Sequence, residues 1–430
     1  MNPLMPYLAR MLASRQLKRV KRAVIEARRR LARQPHRLDV FIRVDDPYSY
    51  LLMQVMAEFC QRFSLQPHWH CILESPVDMY PEQAMWRDYA VRDAAQLAAL
   101  YQLDFPASPA DLSQAAIASA ASQLLDCPPE AFASRASTIL ACMWRGEGGP
   151  SPRELGAAQR VQLEKNQRYL QRLGHYAGAM IHYSGEWYWG IDRLDHLEHR
   201  LIDLGAARRS GERAYFTRGY ATFCRGQAID VTAPQCPLVL YWSARSPYSY
   251  LALVRASQLA QHYNIALHIK PVLPMLMRGM AVPTQKKMYI FHDTKREADK
   301  LGIPYGFVAD PLGRAVERCY ALCGYAETQG LLQDYLLSFA RAVNAEGIRA
   351  DSDRGLRKIV ERCGLDWQRA KNLLADDSWR DWAQKNLEEM YAMGCWGVPS
   401  FRYGELTLWG QDRLGMVERA MLSSPSVHRC

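Results

Sequence analysis

The sequence has no C-x-x-C pair, although it holds 11 cysteines in 430 residues. Dithiol–disulfide exchange of the thioredoxin kind needs such a pair, so that chemistry is excluded. The 11 histidines show no H-x-x-x-H or H-E-x-x-H spacing, and no metal site is expected. His68 and His70, alternating on a strand beside Cys71, come nearest to a ligand set. No G-x-S-x-G, P-loop or G-x-G-x-x-G is present, which leaves out the commonest nucleophile and phosphate devices. No apolar run approaches the length of a transmembrane helix, and the N-terminus lacks the apolar centre of a secretory leader. Scattered cysteines of odd number suit a reducing compartment, so the reading is cytoplasmic.

A global charge excess is also missing, despite a net charge of +10. Eleven of the 54 basic and one of the 44 acidic residues fall in residues 1–38, so the remaining 43 of each sign cancel. The body therefore carries no electrostatic footprint for nucleic acid. The basic stretch, residues 3–34, reads as one amphipathic helix ended by Pro35. Leu4, Leu8, Met11, Leu12, Leu17, Val20, Val24 and Leu31 form an apolar stripe among its arginines. Such a helix either meets a membrane surface or an acidic partner, or lays its stripe on the body and solvates its arginines.

What the sequence does have is repetition. Asp46-Pro47-Tyr48-Ser49-Tyr50-Leu51 returns as Ser246-Pro247-Tyr248-Ser249-Tyr250-Leu251, and Tyr89-x-x-x-Asp93 returns as Tyr289-x-x-x-Asp293. Trp189-Gly190-Ile191-Asp192-Arg193-Leu194 returns as Trp409-Gly410-Gln411-Asp412-Arg413-Leu414. Three blocks in one order point to a tandem duplication and two similar domains. The expected boundaries are a basic helix over 1–37, a first domain over 38–205, a linker over 206–236 and a second domain over 237–425.

Both halves show one order of elements. In the second, Leu238 to Trp242 alternates as a strand, and Ser246-Pro247 opens a helix with an N-cap and a proline at its first position. Ile265 to Ile269 is the next strand. Residues 285–393 are mostly helical. Ser400 to Arg402 and Leu406 to Leu408 form a hairpin, and a helix follows from Asp412. The first half repeats this with strands at Leu38 to Val44 and Trp69 to Leu73, helices over about 82–172, and a hairpin around Ser184-Gly185. The fold class is α/β: two tandem thioredoxin-like domains, each with an all-α insertion.

Ser246 to Leu251, with Lys270-Pro271 after the second strand, resembles the opening of 2-hydroxychromene-2-carboxylate isomerases and kappa-class glutathione transferases, of the DsbA-like branch of the thioredoxin fold. Lys286, Tyr289, Asp293, Arg296, Ala298, Gly302 and Pro304 follow that family's helix pattern. Gly397-Val398-Pro399-Ser400-Phe401 is similar to its Gly-Val-Pro-Thr-Phe segment, and Trp409 to Leu414 to its closing motif. The resemblance implies glutathione as cofactor. Ser246 would donate a hydrogen bond to the thiolate at a helix N-terminus, where free N–H groups favour an anion. Val398 and a cis Pro399 would pair with the peptide backbone, and Gln411 and Asp412 would hold its γ-glutamyl end. Each residue also has a plain structural reading: Ser246 and Asp412 as N-caps, Pro399 as a strand-entry proline.

Two departures bear on specificity. Arg278-Gly279-Met280-Ala281-Val282-Pro283 replaces the family's Asn-x-Pro-Pro loop, and Ala342-Val343-Asn344-Ala345 lacks its tryptophan. The first half has Asp46 for the serine and Ala179 for the proline, so it reads as a non-catalytic domain that stands in for a second subunit. The function expected is a glutathione-dependent isomerase or transferase acting on a small electrophile. The alternative is a non-catalytic module of the same fold that binds a peptide or protein.

Overall fold

A computed structural model describes residues 4–73, 76–147, 153–217 and 236–423. Of the linker expected over 206–236, residues 218–235 lie outside this description. The chain divides into two compact units. A first comprises Lys21–Ala221; a second comprises Met1–Val20 with Thr222–Cys430.

The N-terminal stretch is two helices, α1 (Met5–Leu12) and α2 (Arg15–Leu31), not the single helix expected. The break has a packing cause. A side chain on Gly306 would meet Ala13 Cβ at 2.4 Å, so helix and body touch closely there. Ser14 then accepts a hydrogen bond from Leu17 N–H and starts the second helix. Tyr7 packs on Phe307 with ring centroids 5.3 Å apart, and Arg15 pairs with Asp299 at 2.7 Å. All eight residues of the apolar stripe are nevertheless exposed, so the stripe is not laid on the body.

The first unit continues with β1 (His36–Arg43), α3 (Pro47–Arg62) and β2 (Leu65–Ile72). Then come α4 (Gln83–Tyr101), α5 (Gln114–Leu125), α6 (Phe132–Arg145) and α7 (Ala157–Arg172), the hairpin β3 (Met180–Tyr183) and β4 (Glu186–Trp189), and α8 (Leu194–Asp203). The sheet order is β2-β1-β3-β4, with β1 parallel to β2 and antiparallel to β3. Only Arg37 of β1 is exposed, so this central strand is covered on both faces. Asp46 caps α3 through bonds from Tyr48 N–H and Ser49 N–H, and Pro47 occupies the first helical position, where no N–H is missed.

The second unit has β5 (Leu238–Trp242), α9 (Pro247–Tyr263), β6 (Leu267–Pro271) and α10 (Thr284–Leu301). A helical insertion follows: α11 (Arg314–Ala321), α12 (Cys323–Thr328), α13 (Leu332–Ala345), α14 (Asp353–Arg362), α15 (Trp367–Asn372) and α16 (Trp379–Ala392). The hairpin β7 (Ser400–Tyr403) and β8 (Leu406–Trp409) and the helix α17 (Leu414–Ser423) close the chain. Its sheet order, β6-β5-β7-β8, has the same strand directions as the first. The core joins β5, the inner face of α9 and the insertion through Leu240, Trp242, Leu253, Leu259, Phe339 and Tyr335.

Cys319 and Cys323 are free, buried thiols. Cys236, by contrast, is in a disulfide, which the scattered spacing did not indicate. No described helix is long and apolar enough to cross a membrane, and the described residues hold no His/Cys/Asp/Glu group arranged for a metal.

Candidate active site

Ser246 is the N-cap of α9 in extended conformation, and its Oγ accepts from Ser249 N–H at 3.2 Å. The hydroxyl proton points toward Val398 O, 3.5 Å away, a distance too long for a strong bond. Ser249 is buried behind it, where its Oγ accepts from Ser243 N–H. The structural role assigned to Ser246 is therefore met, and its hydroxyl also faces the Val398–Pro399 segment.

The Val398–Pro399 bond is cis. Pro399 O accepts from Gly410 N–H at 2.9 Å, which ties the segment to the closing motif. Ser400 Oγ donates to Gly397 O at 2.7 Å. Val398 N–H donates to nothing among the described residues. Gly397 is required by sterics. A Cβ there would lie 2.2 Å from the Trp409 ring, which packs edge-on against Trp396 at 5.0 Å.

The closing motif separates two residues expected to act together. Gln411 is 1% exposed. Its Oε1 accepts from Arg255 at 3.0 Å, its Nε2 donates to Glu297 at 2.7 Å, and its carbonyl accepts from Arg255 as well. The side chain thus faces the core and joins α9, α10 and the turn before α17; it does not line the opening. Asp412 is half-buried beside it, in the tight turn Gln411–Arg413. It is not the N-cap of α17, which begins two residues later.

The repeated tyrosine and aspartate also find their purpose. Tyr248 OH donates to Asp293 at 2.7 Å, and Tyr48 OH donates to Asp93 at 2.8 Å in the first unit. Each bond pins the first turn of the capped helix to its neighbour. Lys270, in β6, pairs with Glu389 of α16, and Tyr241 OH donates to the same carboxylate. Burial raises the Glu389 carboxyl, but the Lys270 ammonium outweighs it and leaves a net lowering. Tyr241 is pushed up to about 12 by burial and by Glu389.

The corresponding place in the first unit is filled from within. The Asp46 carboxylate accepts from Tyr48 N–H, Ser49 N–H and Ser49 Oγ–H, at 3.3, 3.2 and 2.7 Å. Burial raises its pKa, against the lowering by Arg43 and Ser49. A side chain on Gly178 would meet Arg43 Cβ at 2.8 Å and Asp46 Oδ2 at 3.0 Å. Ala179, where the proline was missing, sits at φ 52°, and its N–H donates to Ser49 Oγ at 3.0 Å. The helix start and the strand-entry backbone are both satisfied by the protein itself.

Residues 238–422 are a DsbA-like thioredoxin domain: they match the family described as DSBA-like thioredoxin domain. Among curated relatives, the 2-hydroxychromene-2-carboxylate isomerase of Pseudomonas putida is 28% identical over 189 residues, covering 42% of this chain and 92% of the relative. That of Pseudomonas sp. (strain C18) is 26% identical over 202 residues, covering 44% and 94%. A solved 2-hydroxychromene-2-carboxylate isomerase is similar at 27% identity and a TM-score of 0.39, covering 43% of this chain and 94% of that one.

Proposed function

We propose that the second unit is a glutathione-dependent isomerase or transferase acting on a small electrophile. One juxtaposition carries the reading: a serine hydroxyl at a helix N-terminus faces the backbone of Val398, whose N–H has no partner among the described residues, beside a cis proline. Val398 N–H and C=O would take the cysteinyl backbone of glutathione as an added strand. Asp412 would pair with its γ-glutamyl ammonium. The thiol would then lie at the start of α9, where N–H groups and the Ser246 hydroxyl favour its thiolate. The thiolate adds to an unsaturated carbon of the electrophile. If the addition reverses after bond rotation, the product is an isomer; if it does not, the product is a conjugate. The first unit, with its site filled, would be non-catalytic, and the shared strand order supports its origin by tandem duplication.

Calorimetry with glutathione tests the reading on the full chain. Micromolar-to-millimolar binding that weakens in Ser246→Ala and Asp412→Ala is the expected result. No binding at millimolar glutathione would leave the non-catalytic, peptide-binding module as the better account. For α1 and α2 we propose contact with an anionic lipid surface, supported by the exposed apolar stripe and the basic excess beside it. Co-sedimentation with phosphatidylglycerol vesicles, and none with phosphatidylcholine alone, is the expected outcome; equal recovery from both would refute it.

A further inference from the structure

The two sheets present different outer edges. In the second unit, β6 lies at the edge and pairs with β5. Leu238 N–H donates to Ala266 O and Val272 N–H to Trp242 O, which sets the phase of this parallel ladder. Residues 266, 268, 270 and 272 therefore turn their backbone groups toward β5, and Leu267, Ile269 and Pro271 turn theirs outward. Pro271 O is taken by Asn386 Nδ2–H at 2.9 Å. The N–H and C=O groups of Leu267 and Ile269 have no partner among the described residues. An edge left unpaired in this way is a template for another strand.

The first unit closes the same place. Pro67 stands opposite Leu38 in β1 as Leu267 stands opposite Leu238 in β5. A proline there has no N–H to offer and blunts the edge. Trp69, the counterpart of Ile269, stacks on Phe132 at 5.2 Å and donates Nε1–H to Pro129 O at 3.0 Å, so the start of α6 packs over it. Cys71 O accepts from Asn166 as Pro271 O does from Asn386. The two units thus cap one end of the edge alike and differ over the rest.

Beside the open edge lies a groove of about 570 Å³, between β6, α9 and the start of α13. Ile265 and Leu337 give it an apolar floor, and Gln258, Gln261 and Gln333 supply primary amides. These three amides make no side-chain hydrogen bond among the described residues, and each carries the donor and acceptor that a peptide group matches. Asp334 adds an exposed carboxylate that forms no ion pair among the described residues. No arginine or lysine is among the described lining residues, so a phosphate backbone is a poor match.

We propose that the β6 edge and this groove bind an extended polypeptide by strand addition. Alternate residues of an added strand share a face. The matching segment therefore carries an apolar residue for the floor and, two positions away, a lysine or arginine for Asp334.

Fluorescence anisotropy on the full chain tests this with a labelled heptapeptide, Thr-Leu-Thr-Arg-Thr-Leu-Thr. Saturable binding is expected, and it should vanish when every N–H of the probe is methylated. Leu267→Pro removes an outward N–H, spares the β5 ladder and installs the residue that the first unit carries there. It should weaken binding about tenfold or more. Asp334→Asn leaves the strand untouched. It should weaken binding ~2–5-fold, the scale of an exposed ion pair, without changing the affinity for a probe with Thr in place of Arg. Should Leu267→Pro fail to fold, Asp334→Asn and the methylated probe decide. No binding by the wild type overturns the proposal, as does equal binding of the plain and methylated probes. Wild-type affinity in Leu267→Pro overturns it too. So does a full chain that sediments as a dimer and becomes monomeric in Leu267→Pro, because a second copy then holds the edge.

Discussion

Replacing Ser246 separates the two jobs its hydroxyl holds. As an N-cap it accepts Ser249 N–H at 3.2 Å, and Ser246→Ala should cost about 1 kcal/mol, since helix caps of this type cost ~0.5–2 kcal/mol when truncated. For a unit of this size that lowers the melting transition by roughly 2–4 °C. As the proposed thiolate donor it contributes more, because a hydrogen bond to a charged group is worth about 1.5–3 kcal/mol. Lost, that bond raises the pKa of bound glutathione by roughly 1–2 units. Ser246→Asp divides the roles. Asp46 shows that aspartate caps this helix start with bonds from Tyr48 N–H and Ser49 N–H, so stability should stay within about 0.5 kcal/mol. Its carboxylate would occupy the anion's place, and glutathione should not bind. Calorimetry, thermal melts and thiolate absorbance near 240 nm read the three quantities. If Ser246→Ala melts lower but ionises glutathione like the wild type, or if Ser246→Asp still binds it, the serine is a cap and nothing else.

Three further outcomes follow from the packing and charge described. Gly397→Ala should cost about 1–3 kcal/mol by overpacking, because its Cβ meets the Trp409 ring at 2.2 Å; the indole must move, and tryptophan fluorescence should shift with the melt. Asp39 is opposed by burial, but His70 and Arg37 outweigh that and hold it at about 2, against an ordinary 3.8. A lowered carboxyl adds stability above its unfolded pKa and loses it on acidification, so about 2 kcal/mol should disappear between about pH 4 and pH 2. Urea midpoints of Asp39→Asn that do not flatten over that window would refute this. Asp46→Ala should destabilise the first unit by about 2 kcal/mol or more, since it removes a cap and orphans buried donors; a denaturation midpoint equal to wild type would contradict the filled-site geometry.

Much of the fold was legible because local signals agreed with burial. Leu238 to Trp242 is a strand at both predicted ends, and Ser246-Pro247 opens its helix as capping chemistry requires. The hairpins fell within a residue of expectation, since their turns are marked by Ser184-Gly185 and Gly404. The broken N-terminal helix was not legible, because its break depends on Ala13 meeting Gly306, some 290 positions away in the chain. Likewise, the motif around Gln411 marked a place without telling which side chain turns inward. That is settled by Arg255, a buried cation that no local pattern ties to it.

The filled site of the first unit has a consequence for mutational history. Serine at 46 alone would withdraw the carboxylate from Tyr48 N–H and Ser49 while Gly178 and Ala179 still closed the opening. Any larger residue at 178 would strike Arg43 while Asp46 remains. Single replacements at 46 or 178 therefore disturb bonds and packing that the neighbouring positions still require, so positions 46, 178 and 179 are coupled and would have to change together.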